Sequence, residues 1–103
     1  MRSTYKLKFA PEVFNEIKQS VDYYNNLSYG LGNRFKQNFL DAIKKLKTNP
    51  AYSSIRYDEV RFAVIKKFPY AVHYTFDEKL KIIKIQAVLS FKQNPDNNWK
   101  IRF

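Results

Sequence analysis

Cysteine is absent from this chain of 103 residues, which removes disulfides, thiolate nucleophiles and cysteine-based zinc sites together. The fold has to stand on its packed core. Glycine occurs only at Gly30 and Gly32, so no Gly-rich loop is available to cradle nucleotide phosphates. No internal repeat or low-complexity tract is visible. No apolar run approaches the roughly 18 residues of a membrane span, and Met1-Arg2-Ser3-Thr4 leads into an alternating segment rather than an apolar signal core. A cytoplasmic location is expected. The one histidine, His73, has no cluster of carboxylates around it in the sequence, so no metal ligand set stands out and no cofactor is expected.

Negative charge is also scarce. Nine Asp and Glu face nineteen Lys and Arg, a net charge of +10. The excess is spread along the chain: nine cations against four anions through residue 50, ten against five beyond it. Such a surface attracts nucleic acid, an anionic membrane or an acidic protein segment, and charge alone does not choose among them. The length suits one domain, residues 1–103, burying about two-thirds of the surface its unfolded chain would expose.

What is present is a change of periodicity. Thr4-Tyr5-Lys6-Leu7-Lys8-Phe9 alternates apolar and charged residues, the pattern of a half-buried strand. Pro11 suits the first turn of a helix, and Glu12 lies near its positive end. Val13, Phe14, Ile17, Val21, Tyr24 and Leu27 then recur at three and four, which predicts a helix over about 11–26. Asn25 to Gly30 reads as a stop. Leu31, Phe35, Phe39, Ala42, Ile43 and Leu46 make a second stripe that ends at Asn49-Pro50. With so short a break the two helices are expected to be antiparallel neighbours covering a sheet.

The remainder is strand-like: a weak piece at Ile55–Tyr57, then Val60–Lys67, Tyr70–Phe76 and Leu80–Leu89. Short links at Phe68-Pro69 and Asp77-Glu78-Lys79 suit an antiparallel meander. The expected fold is α+β in the order β-α-α-β-β-β: an N-terminal strand, an antiparallel α-helical hairpin and a three-stranded antiparallel meander, with the helices packed on one sheet. Which edge the first strand takes is left open by the sequence.

Several elements in this order look familiar: the Pro11-Glu12 opening, Tyr23-Tyr24, Gly30-Leu31-Gly32 followed by Arg34-Phe35, Asn49-Pro50, Val60-Arg61, Lys67-Phe68-Pro69-Tyr70, Ala87-Val88, Asn94-Pro95 and Trp99. In order and spacing the chain resembles the RelE/ParE superfamily of type II toxin-antitoxin toxins, over nearly its whole length and closest to the ParE-like, plasmid-stabilisation branch. The resemblance implies a toxin neutralised by a cognate acidic antitoxin whose C-terminal segment wraps across its sheet and helices. ParE-like members bind and inhibit DNA gyrase; RelE-like members are ribosome-dependent mRNA endoribonucleases. After Ala87-Val88-Leu89 the family often carries a His and, three positions later, an Arg. Here those positions hold Ser90 and Gln93, which weakens the transfer of catalytic roles and keeps an inactive homologue among the readings.

A gyrase-binding toxin needs a surface and no catalytic group. Arg61, Lys66 and Lys67 near the sheet, with Lys92, Lys100 and Arg102 in the C-terminal segment, are the candidate target contacts. Tyr23, Phe68 and Tyr70 are the candidate antitoxin contacts, although each also suits internal packing. Trp99, Ile101 and Phe103 alternate with Lys100 and Arg102, so this segment could add a strand or dock on a partner, core packing being the commoner fate of such a Trp. A ribonuclease would need a base, an acid and a cation for the phosphorane charge. Arg61, Lys66 and His73 are the candidates, on the expectation that His73 meets Lys66 or Arg61 across the hairpin. A strand histidine satisfied by ordinary hydrogen bonds is the more frequent occurrence. The gyrase-binding reading is adopted; oligomeric state is left open.

Overall fold

The computed structural model describes residues 4–91. The chain runs β1 (Lys6–Phe9), α1 (Pro11–Leu27), α2 (Leu31–Thr48), β2 (Ile55–Tyr57), β3 (Val60–Val64), β4 (Tyr70–Asp77) and β5 (Ile82–Ser90). The expected α+β order is present, with Ile55–Tyr57 as a short fifth strand. Among the described residues, these five strands form one sheet in the order β1-β5-β4-β3-β2.

The sheet is mixed. Four strands make an antiparallel meander, while β1 lies parallel to β5, Lys6 opposite Ile82 and Phe9 opposite Ile85. A parallel neighbour requires a long crossover, and α1 and α2 supply it. Among the described residues, no helix is long and apolar enough to cross a membrane.

Pro11 occupies the first turn of α1 with Glu12 beside it, where a missing N–H and a negative charge are both tolerated. Val13 is buried and Ile17, Val21 and Tyr24 pack against the core. Phe14 and Leu27, placed on that stripe by their spacing, are instead 65% and 61% exposed. The stripe is narrower than its periodicity suggests because one flank of α1 faces away from the sheet. In α2, Phe35, Phe39, Ala42, Ile43 and Leu46 are all buried.

The helices approach closely at Gly32. A Cβ there would lie 2.1 Å from the Val21 carbonyl oxygen, and the Gly32 N–H donates to Asn25 Oδ1 at 2.7 Å. Gly30 takes φ 79° between the helices, a conformation that favours glycine.

Val72 and Tyr74 of β4 and Ile83, Ile85 and Val88 of β5 meet the helices in the core. A bulge sits in β5: His73 pairs with Ala87 and Tyr74 with Ile85, leaving Gln86 as the extra residue. It changes the strand's parity, so that Ile85 and Val88 both face the helices. Ala71, His73, Ala87 and Leu89 belong to the opposite face, and all four are buried.

Candidate functional site

The corner between β3 and β4 is where charge and aromatic side chains converge. β3 ends at Val64, earlier than the expected Lys67. The Phe68 N–H donates to the Ile65 carbonyl at 3.1 Å, closing a turn through Lys66 and Lys67. Lys67 has φ 69°, in the turn position that ordinarily favours glycine. Lys66 and Lys67 are exposed.

Four rings hold this corner to the helices. Tyr24 lies 5.5 Å from Phe35, 4.9 Å from Phe68 and 6.0 Å from Tyr70, while Phe35 is 5.1 Å from Phe68 and 5.0 Å from Tyr70. Mostly edge-to-face, these contacts are worth about 0.5–1.5 kcal/mol each beyond area burial. Burial holds the Tyr24 hydroxyl above the usual phenol pKa, with Tyr70 and Tyr23 adding to the rise. Asn38 Nδ2 of α2 donates to the Lys66 carbonyl at 2.9 Å, a second tether.

A groove of about 730 Å³ opens above this packing, lined by Arg34, Asn38, Lys66, Lys67, Phe68 and Pro69, with Tyr24, Leu31 and Asp41 completing its wall. Arg34 was not among the sequence candidates. Its position off the apolar stripe marked it as exposed, but nothing in the sequence places it beside residues 66 and 67.

The proposed antitoxin contacts divide between two grooves. Phe68 belongs to the basic one. Tyr23, 57% exposed, and Tyr70 line a second groove of about 570 Å³ between α1 and β5 with Glu12, Glu16, Val88 and Leu89. Here Glu16 accepts the Val88 N–H at 3.0 Å. Where α1, α2 and the end of β1 meet, an apolar groove of about 460 Å³ is lined by Phe9, Val13, Phe14, Ile17, Phe39 and Leu40, bordered by Lys18 and Lys36.

The ribonuclease candidates do not converge. Arg61 shares the helix-facing side of β3 with Ala63, donates from Nη1 to the Ser53 carbonyl and lies 5.3 Å from the centre of the Phe76 ring. His73 is on the other face, its ring 4.1 Å from that of Phe62. Its Nδ1 is 3.0 Å from the Tyr57 hydroxyl, and burial lowers its pKa to about 4. Lys66 lies beyond the strand end, tied to α2. The expected meeting of His73 with Arg61 or Lys66 is absent because one-residue offsets on a strand place side chains on opposite faces. Lys92, Lys100, Arg102 and Trp99 lie outside the described residues, as does Gln93; Ser90 ends β5, partly buried.

Among the described residues, no group of three or more His, Cys, Asp or Glu is placed to hold a metal ion. No family model matches the sequence, and no curated protein does. A solved structure described as the chromosomal ParDE TA system from P. aeruginosa contains a chain that superposes with a TM-score of 0.71 at 17% identity, covering 84% of this chain and 95% of that one. The strand order, helix hairpin and sheet described above are thus a fold that this chain shares with a chain of that ParDE structure.

Proposed function

We propose that this protein is the toxin of a type II toxin-antitoxin module, that a cognate acidic antitoxin neutralises it, and that it acts in the cytoplasm by gripping DNA gyrase. The observation that carries the reading is the fold shared with a chain of the ParDE structure. The distribution of charge and apolar surface supports it. A +10 domain with an apolar groove that has Lys36 at its border offers an acidic, amphipathic segment both charge pairing and a dry contact, which offset the cost of ordering that segment.

The choice of binding over RNA cleavage rests on side-chain placement. General acid-base catalysis needs its groups within hydrogen-bond reach of one reacting centre, whereas Arg61 and His73 belong to opposite faces of the sheet. A surface that binds has no such requirement. Arg61, Lys66 and Lys67 are the target contacts in this reading, joined by Lys92, Lys100 and Arg102.

The test is a supercoiling assay with purified gyrase and excess protein, paired with induced cells scored for DNA-damage response against translation arrest. Inhibited supercoiling with a DNA-damage response is expected. Unaffected supercoiling with cleaved mRNA in a translating extract would establish the ribonuclease reading, and normal growth on induction the inactive one.

A further inference from the structure

The face of the sheet turned away from the helices is covered at its centre. That centre is made by Ala71 and His73 of β4 and by Ala87 and Leu89 of β5, Ala71 opposite Leu89 and His73 opposite Ala87. A sheet solvated on one side carries polar residues at its outward positions. These four are instead at most 5% exposed, and Ala87 and Leu89 form an apolar cluster separate from the core beneath the helices. Tyr57 and Phe62 account for the cover over His73. No helix or strand among the described residues lies over Ala71, Ala87 and Leu89.

The chain has one segment long enough to supply a second layer. Twelve residues follow Phe91, and extended they reach about 40 Å, more than the roughly 20 Å across five strands. They start beside this face: the Phe91 N–H donates to the Pro69 carbonyl at 2.9 Å, at the end of the strand pair that holds Ala71 and Leu89. Residues 1–3 are too short. The Lys6 N–H is bonded to the Lys81 carbonyl, roughly 25 Å along β5 from Leu89, and three residues span about 10 Å. A second copy is disfavoured by charge, since two +10 domains would have to meet face to face.

The sequence of the segment suits the task. Asn94-Pro95-Asp96-Asn97 has the composition of a turn, at which the chain can reverse. Beyond it Trp99, Ile101 and Phe103 alternate with Lys100 and Arg102, which in an extended segment gives one apolar and one cationic face. Ala71 and Ala87, with nothing beyond Cβ, leave a shallow seat that a large ring can fill.

We propose that residues 92–103 fold back over this face as a second layer and seat the Trp99 ring on Ala71, Ala87 and Leu89. Lys100 and Arg102 then point away from the sheet. Lys6 and Lys8 are exposed on the same side, because Leu7 and Phe9 between them pack against the core. The His73 imidazole lies beneath the layer, closed to a substrate. Such a layer belongs to the isolated chain and does not depend on the toxin reading.

Trp99 is the one tryptophan of the chain, so its indole protons report directly on the cover. Nuclear Overhauser spectra of the isotope-labelled full chain are expected to connect the indole to the methyl groups of Ala71, Ala87 and Leu89, with those methyls shifted upfield by the ring. In W99L the upfield shift should be lost, while the methyl resonances of Ile83 and Ile85 stay in place and show that the variant is folded. Should W99L fail to fold, the wild-type cross-peaks decide alone. An indole with unfolded-chain shifts and no contact to the sheet overturns the proposal. Indole contacts to Phe14 and Leu40 overturn it too, by placing the segment in the apolar groove. Cross-peaks seen only between labelled and unlabelled chains in a mixed sample assign the face to a second copy and likewise overturn it.

Discussion

Arg61 and His73 lie on paired strands, yet their side chains belong to opposite faces of the sheet. Arg61 is opposite Tyr74 and His73 is opposite Phe62, an offset of one residue that separates a half-buried cation from a buried imidazole. Arg61 reaches the Ser53 carbonyl on the helix side. His73, 4% exposed, meets the Tyr57 hydroxyl on the other.

The buried imidazole should make stability depend on pH. The folded pKa, about 4, lies below the ordinary value near 6.5, so the unfolded chain binds more protons between these values. The contribution is present above about pH 6.5 and is lost as pH falls towards 4, up to about 3 kcal/mol. Urea unfolding of wild type from pH 7.5 to 4.5 is expected to show this fall, and H73Q a shallower one. Equal slopes in the two proteins would mean that His73 titrates normally.

Gly32 sets the distance between the helices. A methyl group would collide with the Val21 backbone carbonyl, which is held in α1 and cannot rotate away. G32A is expected to cost about 2–3 kcal/mol or more by overpacking. G30A, at an open position with positive φ, should cost about 1 kcal/mol by backbone strain alone. Chemical denaturation of both variants checks the order; a G32A protein as stable as wild type would show that the helices can separate without loss.

Lys67 predicts a stabilising substitution. Its φ of 69° costs an L-residue about 1–2 kcal/mol, part of which glycine returns as extra freedom in the unfolded chain. K67G should therefore gain about 0.5–1 kcal/mol. A melting temperature that falls would mean that the Lys67 side chain contributes packing to the fold.

Tyr74 fastens the segment after α2 to the sheet. Fully buried, its hydroxyl donates to the Pro50 carbonyl at 2.6 Å and lies 3.0 Å from Ser53 Oγ. Burial raises its pKa, an effect that the Ser53 hydrogen bond opposes. Y74F leaves the Pro50 carbonyl without this donor and is expected to cost about 1–3 kcal/mol. An unchanged urea midpoint would show that the bond is dispensable.

Elements with strong periodicity were legible in the sequence. The α2 stripe from Phe35 to Leu46 is buried as its spacing requires, and Pro11, Gly30 and Asn49-Pro50 lie at the helix ends. Local turn geometry was less so: Asp58 and Glu59 join β2 to β3 with φ of 44° and 65°, a two-residue hairpin turn without the glycine that usually signals one. The bulge at Gln86 has no signature either. Of the candidate site, residues 66 to 70 stood out because charge and aromatic residues are adjacent in the chain, while Arg34 and Asn38 reach the same groove from another element.

The order of the amino acids alone determined the cysteine-free, cationic character of the chain, its two amphipathic helices and the succession of its strands, because composition and periodicity act over a few neighbouring residues. Tertiary structure decided that β1 runs parallel to β5, that Arg61 and His73 part across the sheet, and that Arg34 joins Lys66 and Lys67. Each of these depends on contacts between residues far apart in the chain, and such contacts are settled by the shared packing of helices and sheet.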